Sequence, residues 1–195
     1  MNPYRIIDQK FEDLDNGVEP IDLTTAKKWL KVTFTDDDSV ITSLITVCRQ
    51  TIEDYCSISL RGKTINYIVD LAPANNRSCI EFELPYGPAI ITDGDLSGII
   101  VKRHDNNGSN SFQPIVLDTD YTIDGLEFYK FKTLIPGRYS FQYDAGYSVV
   151  PEKLKSAILN EIAHRYENRG DTSAGDSICE AAKAIAKPFK RMAWQ

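Results

Sequence analysis

The chain has 195 residues, 42% of them hydrophobic and 26% charged, with a formal net charge of −6. That length supports one domain or two small ones, and the composition can build a core without disulfide or metal staples. No apolar run approaches the roughly 18 to 20 residues a membrane helix needs, and an acidic balance argues against nucleic-acid binding by bulk charge.

The opening stretch MNPYRIIDQKFEDLDNG is polar and acidic, without the apolar centre of a secretion signal, so an intracellular protein is expected. The first twenty residues have weak periodicity and read as an N-terminal arm or loop. PIDLTTAKKWLKV then carries a helix start. Thr24 or Thr25 can cap it, and Ala26, Trp29 and Leu30 give a short apolar face. In TFTDDDSVITSLITVCRQTIEDYCS, Asp36, Asp37 and Asp38 sit where a second helix begins. Acidic residues there suit the helix dipole and can cap free N–H groups. Ile41, Ile45, Cys48, Ile52 and Tyr55 recur at helical spacing, joined by Leu44, in the strongest amphipathic pattern of the N-terminal half.

From about residue 62 the texture changes. KTINYIVDL, CIEFELPYGPAII, GIIVKRHD, FQPIVL, DYTI and RYSFQYDAGY are short β-rich runs, separated by Gly, Pro, Asn and Asp clusters. Tyr139, Phe141 and Tyr143 alternate onto one side. HDNNGSN and IDGLE read as turns. At Pro151 the pattern turns helical again, because Pro suits a first helical position. Leu154, Ala157, Ile158, Ile162 and Tyr166 form its apolar face, and Gly170 is a plausible stop. DTSAGDS is a linker. A last helix is expected from about Asp176, with Ile178, Ala182, Ile185 and Phe189 as one stripe and Lys183, Lys187 and Lys190 opposite. Pro188 should bend or end it.

The expected fold class is α+β. Two N-terminal and two C-terminal helices make a short-helix bundle, with an antiparallel sheet or small sandwich inserted between them. The expected organisation is an arm over 1–20, a helical core from 21–61 and 150–190, a β-rich insertion over 62–149, and a basic, apolar tail over 188–195.

Several chemistries can be weighed on the residues. Glu161 and His164 stand three apart on one helix, which is half of a carboxylate di-metal site. The chain has two histidines, and His104 is in a predicted strand or turn, so the second half is missing. The plainer reading puts Glu161, His164 and Glu167 on the polar rim of a packed or subunit-contacting helix. Cys48, Cys56, Cys79 and Cys179 form no C-x-x-C pair, so free thiols are expected, with Cys48 acting as a small hydrophobe. Gly62, Lys63 and Thr64 resemble the end of a phosphate loop, but Ser57 stands where the first Gly belongs and a helix precedes where a strand should. The loops from Asp105 and Asp118 lack the Gly and Glu of a calcium loop and are explained as turns. No G-x-S-x-G is present. The expectation is a protein that is not an enzyme, with no cofactor and no metal.

The C-terminal segment differs in kind. From Lys183 to Gln195 there are four basic residues, Lys183, Lys187, Lys190 and Arg191, and no acidic one. Phe189, Met192 and Trp194 offer apolar anchors. One reading is a docked terminal helix with a solvated basic face. The other is a recognition peptide for an acidic partner surface.

The order of these stretches resembles the phage head–tail connector (adaptor) family. Leu23, Lys27 or Lys28, Leu30, Asp38, Ile41, Ile45, Ile52, Glu53 and Tyr55 fit its N-terminal signature. LPYGP at 84–88 is similar to a family strand motif. Asp144, Gly146, Tyr147, Pro151, Leu154, Ala157, Ile158, His164, Tyr166 and Arg169 fit a later segment. The resemblance implies a structural virion protein of the neck, assembled in the host cytoplasm. It would form a homo-oligomeric ring, usually twelve-fold, beneath the portal. That ring would extend the DNA channel without sequence-specific binding, involve no membrane, and present a platform to a stopper or tail-completion protein. On that basis Lys183, Lys187, Phe189, Lys190, Arg191, Met192 and Trp194 are expected to dock on the portal. Leu30, Ile41, Ile45, Ile52, Tyr55, Leu154, Ile158 and Tyr166 are expected to pack the helices or the subunits. A non-catalytic β-platform binding module and a metal-assisted enzyme are the alternatives.

Overall fold

The computed structural model describes residues 4–14, 18–72, 79–91, 94–105, 111–169 and 178–191. The chain divides into two units, Met1–Asn16 with Gly62–Gly146, and Gly17–Arg61 with Tyr147–Gln195. The first is built of strands and the second of helices, an α+β architecture with antiparallel sheets.

In the β unit, β1 (Tyr4–Asp13), β2 (Lys63–Leu71), β8 (Gly137–Ala145), β4 (Ile100–His104) and β5 (Phe112–Pro114) form one sheet in that order. A second sheet has the order β3 (Ile80–Glu83), β7 (Lys130–Thr133), β6 (Tyr121–Asp124). Every pairing between these strands is antiparallel. Strict alternation in β2 and β8 turns Ile65, Tyr67 and Val69, and Tyr139, Phe141 and Tyr143, onto one buried face. That face meets the second sheet through rings. Phe82 lies 5.5 Å from Phe141 and Phe131 lies 4.9 Å from it, edge to face. Such pairs add about 0.5–1.5 kcal/mol each beyond the area they bury.

Two strands depart from the sequence expectation. Residues 4–13, read as an arm or loop, pair with β2 along their whole length. Their periodicity is hidden because a register shift falls between Ile6 and Asp8, and because nearly every residue stays exposed. β7 was not expected; its KFKT is too short and too charged to stand out. LPYGP is a turn and not a strand: β3 ends at Glu83, Tyr86 has φ of 56°, and Ala89 makes one isolated bridge to Ala145. A Cβ at Gly87 would come within 2.8 Å of the Phe128 ring, so a larger residue there would have to displace that ring.

In the helical unit, α1 (Leu23–Leu30) and α2 (Asp38–Cys56) precede the β unit in sequence, and α3 (Glu152–Glu167) and α4 (Glu180–Ala186) follow it. The cap of α1 is Asp22 and neither threonine. Its carboxylate accepts the Thr25 N–H at 2.7 Å, and Thr25 donates its hydroxyl to the same group. α1 is short enough that Ala26 alone is buried, and Trp29 stays 49% exposed instead of joining an apolar face. α2 buries Ile41, Ile45, Cys48 and Ile52 as its spacing predicts. α3 buries Leu154, Ala157, Ile158 and Ile162. Gly170 and the 171–177 linker lie outside the described residues, as do most of HDNNGSN and the start of the last helix at Asp176. α4 is capped by Cys179, buries Ala182 and Ala186, and passes into a 3-10 turn at Lys187–Phe189, where Pro188 falls.

Candidate interaction surfaces

The Glu161 and His164 pair is explained by what each side chain touches. Glu161 is fully buried, against the expectation of a polar rim. Its Oε1 accepts Arg165 Nε at 2.7 Å, and its Oε2 accepts the Cys179 N–H at 2.8 Å. Burying a carboxylate is tolerated because both oxygens receive donors, one of them cationic. His164 Nδ1 instead lies 3.2 Å from Asn168 Nδ2 at the C-terminal end of α3. Among the described residues, no three His, Cys, Asp or Glu side chains come together as metal ligands. Glu161 is a structural clasp between α3 and the start of α4.

A second buried charge cluster escaped the sequence reading. Arg49 on α2 donates to Glu19 at 2.7 Å and to Glu53 at 2.5 Å. Glu53 also accepts the Leu60 N–H at 2.7 Å, which pins the turn after α2, and Thr46 donates to Glu19. Arg49 and Glu53 stand four apart on α2, a spacing that could have flagged them. Glu19, thirty positions away, has no such local signal.

The acidic start of α2 also works across helices. Asp37 occupies the cap position but makes no side-chain bond to the helix N–H groups. Its Oδ2 takes the Tyr166 hydroxyl at 2.5 Å and Arg169 Nη2 at 2.8 Å, both from α3. Asp38 pairs with Lys27 at 2.5 Å, which ties α1 to α2. The Arg169 and Tyr166 hydrogen bonds hold the Asp37 carboxyl below its ordinary pKa. Tyr166, expected as a packing residue, is therefore a half-buried polar anchor. Leu30 and Tyr55 are likewise half-buried, whereas Ile41, Ile45, Ile52, Leu154 and Ile158 are core.

The C-terminal segment is docked as far as Arg191. The Arg191 N–H reaches Cys56 O at 2.8 Å, and Cys56 Sγ lies 3.6 Å from Ala186 O. Lys190 Nζ sits 4.5 Å from the centre of the Tyr55 ring. Lys183, Lys187 and Lys190 are exposed and Phe189 and Arg191 half-buried. Met192 and Trp194 lie outside the described residues. Beside this strip a groove of about 590 Å³ is lined by Val47, Thr51, Asp54, Tyr55, Ile178 and Lys183, among others. Its walls carry both apolar surface and charges of both signs.

Residues 20–87 match the family described as phage gp6-like head-tail connector protein. That match runs over α1, α2, β2 and β3. Solved structures carry the likeness through the rest of the chain at the level of the fold. A chain in the neck of an empty gene transfer agent (GTA) particle with C6 symmetry superposes with a TM-score of 0.61 at 15% identity, covering 95% of this chain and 97% of that one. A chain of the native GTA virion gives 0.62 at 15% identity with the same coverage. A chain from the native GTA neck with C12 symmetry gives 0.53 at 17% identity, covering 92% and 96%. No curated protein matches the chain.

Proposed function

We propose that this chain is a structural neck protein of a phage-like particle, forming a ring that joins the portal vertex to the tail or stopper and extends the DNA channel. The observation that carries this reading is a conjunction. The connector sequence match over residues 20–87 falls within a fold shared, nearly end to end, with chains of a GTA neck. The C6 and C12 symmetry of those necks supports a cyclic assembly. A cyclic ring needs a head-to-tail joint, in which one patch meets a different patch on the next copy. The net charge of −6 suits a channel through which DNA must slide without being gripped.

The role is structural and not catalytic: the connector family supports it, and the buried carboxylates here are engaged in holding helices together. The C-terminal strip is the portal-facing surface. Lys183, Lys187 and Lys190 present exposed cations along one docked segment, with Phe189, Arg191, Met192 and Trp194 as anchors, a pattern suited to an acidic partner surface. The helices that carry Ile41, Ile45, Ile52, Leu154 and Ile158 form the core on which that strip is docked.

The test is co-elution of the full chain with the portal protein encoded by the same genome, with mass read in solution. One chain per portal subunit is the expected result. No complex at concentrations well above micromolar would overturn the portal role.

A further inference from the structure

The groove beside the C-terminal strip lies wholly within the helical unit. Val47, Thr51 and Tyr55 are spaced four apart on α2, so they share one face over about 12 Å of helix. This is not the face that carries Ile41, Ile45, Cys48 and Ile52 into the core. Ile178, just ahead of α4, also lines the groove, with Glu180 and Lys183. Val47 is 41% exposed, and Thr51, Tyr55 and Ile178 are half-buried, so apolar wall is left in water. At about 590 Å³ the groove is in the size range of sites that enclose a small ligand.

The chain itself delivers a segment to one end of this groove. The Arg191 N–H is fixed on Cys56 O at 2.8 Å, and Lys190 Nζ lies 4.5 Å from the centre of the Tyr55 ring. Of the groove residues on α2, Tyr55 is the one nearest the C-terminal end of the helix. Arg191 is therefore tethered where the groove begins. Met192–Gln195 lies outside the described residues. An extended chain advances roughly 3.3–3.6 Å per residue, so Trp194 can lie about 10 Å from Arg191. That reach, with the length of the indole side chain added, covers the α2 face from Tyr55 back to Val47. Met192 and Trp194 are two positions apart, so in an extended segment both point to one side.

We propose that in the free chain Met192 and Trp194 fold back into this groove, with Met192 against Tyr55 and Trp194 between Val47 and Ile178. Both side chains then cover wall surface that is otherwise wet. The indole N–H, which only donates, is offered the carboxylate of Glu180, a side chain 87% exposed. A tethered segment needs little affinity of its own, because the tether holds it at an effective concentration on the order of millimolar. That favours this tail over a second copy of the chain at ordinary protein concentrations. The seat also regulates the strip: portal docking through Trp194 must first draw it out of the groove. That consequence rests on the portal reading above, and the seat itself does not.

The experiment uses the full chain carrying Trp29→Phe, which leaves Trp194 as its one tryptophan. In the folded protein the Trp194 emission should lie to the blue of the urea-unfolded chain and be shielded from acrylamide. Val47→Lys in the same background should lose both, since it replaces apolar wall by a charge that repels Lys190 and Arg191. Ile178→Lys should do the same from its side of the groove. Circular dichroism checks that each variant is folded. A benzoylphenylalanine in place of Trp194 should crosslink to residues 47–55 or 178–183 of the same chain, and this decides alone should neither wall variant fold. Emission from the folded chain equal to that of the unfolded one, or unmoved by Val47→Lys, would overturn the seat. Crosslinks to a second copy, rising with concentration, would overturn it in favour of exchange between chains. None of these readouts involves the portal, so failure here leaves the portal reading standing, and failure of co-elution leaves the seat standing.

Discussion

The buried Glu161 carboxylate on α3 accepts the backbone N–H of Cys179, 2.8 Å away, at the residue that caps α4. A single acidic side chain thereby fixes where the last helix starts, and with it where the basic C-terminal strip is presented. The same carboxylate holds Arg165 at 2.7 Å, so it cannot be lost without leaving both a cation and a backbone donor short of an acceptor. Glu161→Ala should cost about 2–4 kcal/mol of stability. Glu161→Gln, which keeps one acceptor oxygen, should cost less. Urea unfolding of the three proteins measures the order.

Asp37 makes stability depend on acid. Its folded pKa is lowered, first by Arg169 and then by Tyr166, below the ordinary 3.8. A group with a depressed folded pKa contributes stability in full above its unfolded value and loses it as pH falls through the folded one. Wild type should therefore exceed Asp37→Asn in thermal stability at neutral pH. The gap should narrow as pH drops below about 4. A gap that stays constant over that window would remove Asp37 from the pH dependence.

The four cysteines should divide by burial. Burial pushes the Cys48 thiol up to about 12 and Cys56 up to about 11, and both side chains are enclosed. In the folded chain at pH 8 a thiol reagent should reach Cys79 and Cys179, which are partly exposed. Cys48 and Cys56 should react only after denaturant is added. Peptide mapping of alkylated protein distinguishes the two classes.

On the proposed portal-facing strip, charge and anchors should separate kinetically. Lys183→Glu and Lys187→Glu remove exposed cations, so they should slow association with the portal and flatten its salt dependence, with little change in dissociation. Phe189→Ala with Trp194→Ala should instead speed dissociation, and removing the residues after Ala186 should abolish binding. Binding unchanged by that truncation would send the portal contact elsewhere on the chain.

Much of this protein is legible along the chain because its strongest elements report on themselves. The helical repeat of Ile41, Ile45, Cys48 and Ile52 and the alternation of Tyr139, Phe141 and Tyr143 arise from one face meeting a core, and that is a local pattern. The connector resemblance was legible for the same reason, since its motifs lie on these elements. The basic run from Lys183 was legible as composition. What the sequence could not convey depends on partners distant in the chain. β1 has no period of its own: it exists because β2 offers an edge some sixty residues away, and a register shift scrambles its alternation. Glu161 reads as a surface residue until Arg165 and Cys179 close over it, and Glu19 gains meaning only from Arg49, Thr46 and Arg61, all distant in the chain. Asp37 reads as a helix cap, and only the packing of α3 turns its carboxylate toward Tyr166 and Arg169. The sequence by itself determined which segments would be helix or strand wherever burial repeats at a regular spacing. The tertiary structure decided the edges, the buried charges and the surfaces left open, because each is set by which far-off atoms replace water around a given group.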